Sequence, residues 1–477
     1  MKKIVFGTDG WRGVIAENFT FDNVKVVAQA LADYLKTKGL SQRGFVVGYD
    51  TRFLSDKFAK SLAEVVASND IPVLLASKPT PTPIVSFTVK NRNAGGGVVI
   101  TASHNPPEYN GIKFKPEYGG SALTHITKEI ENLLYQNTVK QDEKKAKRYV
   151  REVDFETEYF AKIKSLVDLR LIGEAGFKIV VDTMHGAGDR IIERLLSGTK
   201  CQVETIRFKP NPTFGGVKPE PILQNLQPLI DIIVRQGADI GLATDGDADR
   251  VGAVNSKGQF ISPHEVFALL ILHLHQNKGW NGGVVKTASV CNIVSNVADK
   301  LGLPVYETAV GFKNICELIL KEDILIGIEE SGGVGFKNHV PERDGILAAF
   351  FILEMMVMKK KSFDELLMEL TNEFGEVHYD RIDLQYEKPD RMDLIPSLES
   401  QPPQEVCSLN VEKISTYRGV KVVNGIKFHF TDKRSWLLIR ASETEPLMRI
   451  YAEAANDKMV QRLLNEGQRL LKMAAKD

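Results

Sequence analysis

The chain has 477 residues, more than one hydrophobic core supports, which predicts about three to four domains. Hydrophobic residues make up 43% and charged residues 26%, as is ordinary for a globular protein. Its 61 basic and 61 acidic residues balance, which excludes a nucleic-acid-binding surface spread along the whole chain. A small anion in a local positive cleft remains compatible with this charge.

Cysteine usage and hydropathy bear on the cell compartment. The four cysteines are far apart and form no CxxC pair: Cys201, Cys291, Cys316 and Cys407. Neither a zinc site nor a disulfide framework is therefore predicted. The most apolar segment, 346–358, contains Glu354 and is too short to span a bilayer, and the N-terminal apolar run is too short for a secretion signal. We expect a buried helix at 346–358, reduced core thiols, a cytoplasmic location and no membrane partner.

Strand-like apolar runs alternate with helical patterns along the chain, which is typical of α/β folds. The first clear helix is expected to begin after Thr20 as its N-cap and to end before Gly39. Strand candidates lie at 45–50, 73–77, 97–101, 178–182, 240–245, 284–288 and 325–328. Further helical candidates lie at 222–236, 265–276, 292–301 and 313–321.

Three segments share a strand–loop–helix rhythm with an acid or hydroxyl at the strand end: 48–52 (GYDTR), 180–186 (VVDTMHG) and 242–250 (LATDGDADR). The similarity suggests repeated domains. Ligands of open α/β sheets gather beyond the carboxyl ends of strands, so chemistry is expected in these loops.

Composition also indicates domain limits. The charged stretch 140–151 is expected to be a linker or a solvated helix, and the Pro-rich stretch 397–404 a loop. We predict domains at 1–153, 154–258, 259–375 and 376–477, of which the last is a smaller α+β unit.

A serine follows an apolar run in Thr101-Ala102-Ser103-His104-Asn105-Pro106. Prolines at 106 and 107 stop the strand, so Ser103 should lie in a loop, and Asn110-Gly111 predicts a turn before Lys113. A hydroxyl at a strand end, beside a histidine and near a lysine, suits a covalent nucleophile. The residues alone favour the alternative, an ordinary polar turn bonded to backbone.

Three carboxylates alternate in Asp245-Gly246-Asp247-Ala248-Asp249-Arg250, which follows an apolar run. Such oxygen ligands can converge on one hard cation, and the ligand type points to Mg²⁺ with phosphate completing its shell. An EF-hand is excluded, because its later Gly and Glu are absent. The alternative is a solvated acidic turn, in which these carboxylates would repel one another unless a cation or Arg250 neutralised them. The spacing favours the metal site.

Two further loops carry polar groups after apolar runs. Residues 327–333 (GIEESGG) combine carboxylates, a hydroxyl and glycines that permit a sugar to approach the backbone. Residues 440–446 (RASETEP), with Arg449 beyond them, combine guanidinium groups, hydroxyls and loop amides, which together suit a phosphate. Taken alone, residues 327–333 are equally well a Gly-rich turn, and the alternative for residues 440–446 is a surface loop with scattered charge.

In this order the four loops resemble those of the α-D-phosphohexomutase superfamily, which includes phosphoglucomutases, phosphomannomutases and phosphoglucosamine mutases. The resemblance covers essentially the whole chain, from FGTDGWRG at 6–13, through 211–221 and ERDG at 342–345, to Arg449. It implies a heart-shaped α/β architecture of four domains: three related α/β domains and a C-terminal α+β domain, with one loop from each lining a central cleft. It also implies an enzyme, a Mg²⁺-dependent mutase of hexose phosphates.

The resemblance assigns roles to individual residues. Ser103 would carry the catalytic phosphate and, with Asp245, Asp247 and Asp249, would hold Mg²⁺. The transferring group would be surrounded by Arg12, His104, Lys113 and Arg250, with Lys113 as general base. The sugar would be bound by Lys286, Thr308, Gly311, Lys313, Glu329 and Ser331. The phosphate that is not transferred would be bound by Arg440, Ser442, Thr444 and Arg449.

Phospho-Ser103 would then phosphorylate the free hydroxyl of a hexose monophosphate, and the resulting 1,6-bisphosphate, which is intermediate and activator, would turn end for end. Glucose and mannose phosphates are the expected substrates, no nucleic-acid partner is expected, and the sequence indicates no oligomeric state.

Two positions depart from the family pattern. Glu443 lies where many members have Gly or Asn, and Gly333 lies where some have His, for which His339 is the candidate substitute. A hexose 1,6-bisphosphate synthase is the close alternative, because a weaker phosphate loop would release the intermediate. A non-catalytic sugar-phosphate sensor is a second alternative, which the intact Ser103 and Asp245 loops argue against.

Overall fold

The computed structural model of the protein describes residues 4–7, 9–419, 422–443 and 446–475. These residues form four β-sheets, each with helices packed against it. Within these ranges, no helix is both long enough and apolar enough to cross a membrane.

The first sheet is built from the N-terminal part of the chain. Its strands are β1 (Trp11–Val14), β2 (Phe45–Tyr49), β3 (Val73–Ala76), β4 (Gly96–Ile100), β5 (Tyr109–Pro116) and β6 (Val150–Val153), in the order β1-β5-β4-β2-β3-β6. Its helices are α1 (Phe21–Thr37), α2 (Ser55–Ser68), α3 (Thr82–Asn91), α4 (Thr124–Leu133) and α5 (Glu143–Tyr149). The predicted start of α1 is confirmed, since Thr20 Oγ1 accepts a hydrogen bond from the N–H of Asn23 at 3.3 Å.

The second sheet has the order β11-β10-β9-β7-β8. Its strands are β7 (Lys178–Asp182), β8 (Gln202–Ile206), β9 (Ile240–Thr244), β10 (Val251–Asn255) and β11 (Phe260–Ile261), and its helices are α6 (Glu156–Leu166), α7 (Leu169–Ala175), α8 (Ile191–Leu195) and α9 (Gln227–Gln236). This sheet extends to Ile261, beyond the limit predicted at 258. The domain limits themselves stay a prediction.

The third sheet has the order β13-β12-β14-β15. Its strands are β12 (Gly283–Thr287), β13 (Val305–Thr308), β14 (Ile324–Ile328) and β15 (Val334–Phe336), and its helices are α10 (Pro263–Leu272), α11 (Asn292–Lys300), α12 (Phe312–Lys321), α13 (Gly345–Lys359) and α14 (Phe363–Phe374). α13 is the predicted buried helix: its residues from Gly345 to Met356 are all buried, and it packs within the largest apolar core.

The fourth sheet is antiparallel, with the order β16-β21-β20-β19-β18-β17. Its strands are β16 (His378–Gln385), β17 (Glu405–Val406), β18 (Leu409–Arg418), β19 (Val423–Phe430), β20 (Trp436–Ala441) and β21 (Leu447–Ala454), and its helices are α15 (Leu394–Ser400) and α16 (Asp457–Ala474). α16 turns a stripe of buried Val and Leu side chains toward the sheet, and these form a separate core.

The first three sheets repeat one strand order. Each places a first strand (β2, β7, β12) beside a third parallel strand (β4, β9, β14), which pairs with an antiparallel strand (β5, β10, β15). The Ser103 loop, the Asp245 loop and the Glu329 loop all lie between the last two of these strands. The three loops are therefore topologically equivalent, and the fold brings them to the same edge of each domain.

This order refines the predicted repeat. GYDTR and VVDTMHG include the ends of the equivalent first strands β2 and β7, whereas LATDGDADR includes the end of the third strand, β9. The third segment is thus the counterpart of the Ser103 loop rather than of the first two segments.

The predicted turn at Asn110-Gly111 was wrong. Both residues lie in β5, where Gly111 pairs with Arg12 of β1. A Cβ at position 111 would lie 2.6 Å from the carbonyl oxygen of Thr101 and 2.7 Å from that of Trp11. The glycine is needed because neighbouring backbone segments approach closely here, and not because the chain turns.

Two other local predictions were wrong in part. The stretch 397–404 was expected to be a loop, but its first residues belong to α15, which buries Leu394, Ile395 and Leu398. The helix expected over 222–236 is divided: a 3₁₀ turn covers Leu223–Asn225 and α9 begins at Gln227. Pro228 lies in the first turn of α9, where its lack of an N–H costs nothing.

The contact between the third and fourth sheets combines apolar side chains, among them Trp436 and Leu438 of the largest apolar core, with polar ones. Lys427 Nζ of β19 lies 3.0 Å from Glu307 Oε2 of β13 and donates to the carbonyl oxygen of Ala288 at 2.8 Å. The ring of His264, from α10, packs against the ring of Tyr379, from β16, with centroids 4.6 Å apart.

His264 should make the fold less stable in mild acid. Burial lowers its pKa from the ordinary 6.5 to about 4. Between these values the unfolded chain binds a proton that the folded chain does not, so the free energy of unfolding should fall as pH drops from 6.5 to 4, by at most about 3 kcal/mol from this group. His264→Asn, whose amide oxygen can accept the N–H of Cys291 as Nδ1 does, should remove that part of the dependence.

The measurement is the urea midpoint of the parent and the variant across this pH range. His125→Asn, at an exposed histidine, is the control and should follow the parent. A slope for His264→Asn equal to that of the parent would contradict the prediction.

Candidate active site and metal centre

A cleft of about 1170 Å³, open mouth included, lies where the four domains meet. Nine of the residues predicted for the site line it: Arg12, His104, Arg250, Gly311, Glu329, Ser331, Arg440, Ser442 and Arg449. The lining thus takes side chains from every domain and is rich in arginine, which suits a phosphorylated ligand.

Ser103 lies just behind this lining, at the end of the short segment after β4. Its backbone has a φ of 54°, in the left-handed region, and its N–H donates to Thr101 Oγ1 at 2.9 Å. This conformation turns the side chain toward the second domain, where Ser103 Oγ donates to Asp245 Oδ2 at 2.8 Å. Ser103 is only 1% exposed, while His104 and Asn105 beside it face the cleft.

Asp245, Asp247 and Asp249 form one compact group of carboxylates after β9. All three are fully buried, and one oxygen from each lies within 4.8 Å of the others. The turn between them uses Ala248 at a φ of 57°, which lets the alternate side chains point the same way. Among the described residues, Asp247 Oδ1 and Asp249 Oδ1 are buried without a hydrogen-bond partner.

This donor set fits Mg²⁺, which prefers carboxylate and other oxygen ligands. Burial and repulsion from Asp249 and Asp247 raise the pKa of Asp245 well above its usual range, which is the expected response of carboxylates crowded together without a dication. Residues Asp245, Asp247 and Asp249 could hold the ion, with an oxygen on Ser103 beside them.

Lys113 reaches the same carboxylates from β5. Its Nζ lies 2.8 Å from Asp247 Oδ2, 2.9 Å from Asp249 Oδ2 and 2.9 Å from Asp9 Oδ2. Burial alone would lower the pKa of Lys113, but these carboxylates raise it above its ordinary value. In this arrangement Lys113 is a protonated ion-pair partner, and its role as general base stays a prediction that the geometry does not favour.

The pKa of His104 shifts in the opposite direction to that of Lys113. Burial and the positive charges of Arg250 and Arg12 lower its pKa well below the ordinary value, so the imidazole is neutral near pH 7. Its Nδ1 lies 3.3 Å from Ser103 Oγ. A neutral imidazole at this place can accept a proton.

The sequence assigned no role to Arg343, yet it joins three domains at the site. Its guanidinium lies 2.6 Å from Asp9 Oδ2, 2.7 Å from Asp249 Oδ2 and 3.0 Å from Glu329 Oε2. Although burial works against the charged carboxylate, Lys113 and Arg343 hold the pKa of Asp9 well below its usual range. Asp9 lies in FGTDGWRG and Arg343 in ERDG, two stretches that carry the family resemblance. That resemblance was the signal from which the sequence could have identified both as site residues.

Several residues predicted to bind sugar do not line the cleft. Lys286 Nζ lies 3.5 Å from Glu307 Oε2, at the contact between the third and fourth sheets, and Thr308 Oγ1 donates to the carbonyl oxygen of Ala309. Lys313 is buried, and burial lowers its pKa. Their sugar-binding roles stay predictions, and Thr444 lies outside the described residues.

His339 does not replace an imidazole at position 333. Its Nε2 lies 2.9 Å from Asp344 Oδ2, and its ring stacks on Phe87 in the core, outside the cleft lining. Asp344 also accepts a hydrogen bond from the hydroxyl of Tyr159. The prediction that His339 takes the place of that imidazole was wrong, because His339 is part of a buried contact between domains.

Asp247→Asn should weaken Mg²⁺ binding. The amide keeps the shape of the carboxylate but removes one charged ligand and disturbs the contact with Lys113, so the dissociation constant should rise more than about tenfold. Calorimetric titration of the apoprotein with Mg²⁺ measures this without any substrate. Asp457→Asn, at an exposed aspartate of α16, is the matched control. Equal affinities in the two variants would refute the assignment.

Four consecutive family models match the chain. They are described as Phosphoglucomutase/phosphomannomutase alpha/beta/alpha domain I (residues 3–141), domain II (157–258), domain III (262–374) and C-terminal domain (403–467). They confirm the predicted fold class of three related α/β domains followed by a C-terminal domain.

Individual proteins agree with these models. A phosphoglucomutase/phosphomannomutase of Thermococcus kodakarensis is 33% identical over 473 residues, which cover 99% of each chain. A phosphoglucosamine/phosphogalactosamine mutase of Sulfurisphaera tokodaii is 29% identical over 472 residues, covering 97% of this chain and 98% of the relative. A crystal structure from Thermus thermophilus, titled as a "putative phosphomannomutase", matches with a TM-score of 0.84 and 35% identity, covering 98% of this chain and 99% of that one.

The predicted enzyme class, an intramolecular phosphotransferase, is confirmed by these matches. With four family models in order along the cleft-forming domains, the chain belongs to the phosphoglucomutase/phosphomannomutase family.

Proposed function

We propose that the protein interconverts the 1- and 6-phosphates of glucose, mannose or both, through phospho-Ser103 and a hexose 1,6-bisphosphate. One observation carries the proposal: Ser103 Oγ lies 2.8 Å from Asp245 Oδ2, in a buried group of three carboxylates behind an arginine-lined cleft. When bound there, Mg²⁺ would neutralise charge on the phosphoryl oxygens during transfer.

In the first step, a hydroxyl oxygen of the sugar attacks the phosphorus of phospho-Ser103. The new bond joins phosphorus to the sugar oxygen, and the bond to Ser103 Oγ breaks with its electron pair remaining on Oγ. The hydroxyl proton passes to a base and from there to Oγ, which leaves Ser103 as a free hydroxyl. We place that proton on His104, because its imidazole is neutral while Lys113 is held protonated. Arg12 and Arg250 line the cleft beside this point and would bind the transferring group.

The second phosphate of the bisphosphate requires its own site. Arg440, Ser442 and Arg449 of the fourth domain line the same cleft as His104 and would hold that phosphate during each transfer. Release and rebinding after an end-for-end turn would then bring the other phosphate to Ser103.

Glu443, the unusual acid of this loop, has a carboxylate close to Gly419, since a Cβ at 419 would lie 2.1 Å from Glu443 Oε1. Its charge also acts on Lys313, whose pKa it works to raise against burial. An acid that lines the cleft beside a dianion would favour release of the bisphosphate, which keeps a hexose 1,6-bisphosphate synthase as the second candidate.

Sugar choice would rest mainly on Glu329 and Ser331, which line the cleft after β14. Glu329 accepts a hydrogen bond from Arg343 at 3.0 Å, which fixes one carboxylate oxygen and leaves the other for a sugar hydroxyl. Because relatives are named for glucose, mannose and hexosamine phosphates, the panel of substrates is the decisive assay.

That assay supplies glucose, mannose and glucosamine 1-phosphates in turn, with Mg²⁺ and a trace of glucose 1,6-bisphosphate, and analyses all products. Formation of glucose or mannose 6-phosphate supports the proposal. Net accumulation of bisphosphate, from a phosphoryl donor, would identify the synthase instead. Exclusive turnover of the glucosamine phosphate would overturn the proposed substrates.

Ser103→Ala should abolish mutase turnover, because it removes the atom that carries the phosphate. The parent, after incubation with glucose 1,6-bisphosphate, should show one added phosphate by intact mass, and the variant none. Ser165→Ala, at an exposed serine of α6, should behave as the parent. Retained turnover in Ser103→Ala would contradict the proposed mechanism.

Gly333→Ala tests the sugar loop. A Cβ at position 333 would lie 2.4 Å from Cδ of Arg343, so Arg343 must move away from Glu329 and Asp249. The kcat/KM should fall by up to about 100-fold, as for an ångström-scale misplacement of a site. In Gly425→Ala the nearest atom is 3.5 Å away, and this control should keep the activity of the parent. Equal kcat/KM in both variants would contradict the steric argument.

A further inference from the structure

Arg52 lies on the side of the Ser103 loop that faces away from the cleft. It follows β2, is 3% exposed and is not part of the cleft lining. Both terminal nitrogens of its guanidinium donate to backbone carbonyl oxygens of the segment 103–109. Nη2 donates to Ser103 at 2.7 Å and to Asn105 at 2.6 Å. Nη1 donates to Pro106 at 2.8 Å and to Tyr109 at 3.0 Å.

Four carbonyl oxygens that point at one place repel one another unless several donors lie between them. A guanidinium is the side-chain group that offers five N–H donors in one rigid plane, and here its four terminal N–H groups all have carbonyl acceptors. The remaining nitrogen, Nε, lies 3.2 Å from Asp50 Oδ2. The other oxygen of Asp50, Oδ1, accepts a hydrogen bond from the backbone N–H of Arg52. Arg52 is thus fixed by Asp50 and in turn fixes the loop.

The same carbonyl group of Ser103 is confined from its other side by Gly246 of the Asp245 loop. A Cβ on Gly246 would lie 2.5 Å from the Ser103 carbonyl oxygen. Between Arg52 and Gly246 the Ser103 backbone keeps its φ of 54°, which a non-glycine residue adopts only where its surroundings impose it. That φ is what directs Ser103 Oγ to Asp245.

Arg52 also connects the loop to the second domain. Its guanidinium carbon lies 4.9 Å from the centre of the Phe214 ring, and the hydroxyl of the preceding Thr51 donates to the carbonyl oxygen of His185 at 2.7 Å. The residue that shapes the Ser103 loop is therefore anchored on the domain that supplies the three aspartates.

We propose that Arg52 is a positioning residue for phosphoryl transfer: by gathering the four carbonyl oxygens of 103–109 it holds Ser103 Oγ against the metal-binding carboxylates. It touches neither substrate nor the reacting atoms and acts through the loop. The inference rests on the proposed role of Ser103.

The test compares Arg52→Met and Arg52→Lys with Arg43→Met, which removes an arginine that is exposed in the same domain and also donates to a backbone carbonyl, that of Asn93. For Arg52→Met, kcat per folded enzyme should fall about 100-fold while KM for the sugar phosphate stays near that of the parent, because the groups proposed to bind the sugar and the phosphate that is not transferred lie on other loops. Arg52→Lys, with a cation and fewer donors, should lie between. Arg43→Met should match the parent.

A second readout follows the loop itself. The rate at which glucose 1,6-bisphosphate phosphorylates Ser103, measured by rapid quench and intact mass, should fall in parallel with kcat. A residue that only stabilised the fold would change the amount of active enzyme and leave this rate unchanged. Equal kcat and equal phosphorylation rate in Arg52→Met and Arg43→Met would overturn the inference.

Should Arg52→Met not fold, Arg52→Lys against Arg43→Lys decides alone: a lower kcat at unchanged KM supports the inference, and equal kcat overturns it. Failure of the proposed function is separately visible, because Ser103→Ala would then keep its turnover. An inactive Ser103→Ala beside a fully active Arg52→Met would reject only the positioning role.

Discussion

The burial of three carboxylates after β9 is the constraint on which the rest of the structure depends. Asp245, Asp247 and Asp249 are fully buried, and like charges so close together in a protein interior are strongly unfavourable without compensation. Compensation arrives from elsewhere in the chain: Lys113 from the first domain and Arg343 from the third. The contacts that neutralise the Asp245 loop therefore also hold these domains together.

The repeated strand order explains why the chemistry collects at one place. In each of the first three domains the functional loop follows the third parallel strand and precedes its antiparallel neighbour, at the carboxyl edge where open α/β sheets bind ligands. Asp9, Asp249 and Glu329 come from three such domains, and the single guanidinium of Arg343 contacts them all. The positive charge of Arg343 is thus shared by carboxylates from all three domains.

The fourth domain is attached differently. Its contact with the third domain is made by groups such as Lys427 with Glu307, where burial and Lys286 lower the pKa of Lys427 to about 8. The backbone N–H of Asn292 adds a hydrogen bond to Glu453 Oε2 at 2.8 Å. The same contact buries Trp436, Leu438 and Tyr451 in the largest apolar core, so the fourth domain is held by apolar packing as well as by polar pairs.

What the sequence determined by itself was local. The alternation of three aspartates within five residues predicts a cation site, and most strands and the buried helix α13 could be recognised from contiguous residues, whereas the Ser103, Glu329 and Arg440 loops gained their meaning only from their order along the chain. Their order was enough to indicate the family and its four-domain fold.

Only the tertiary structure decided what depends on residues far apart in the chain. The protonated state of Lys113, the exclusion of His339 from the cleft and the contacts of Arg343 and Arg52 all follow from burial and from charges on other domains. Even Gly111 was misread, because its reason is a neighbouring backbone segment and not its own turn. A sequence specifies which groups are available, whereas their pKa values and partners depend on distances that only packing fixes.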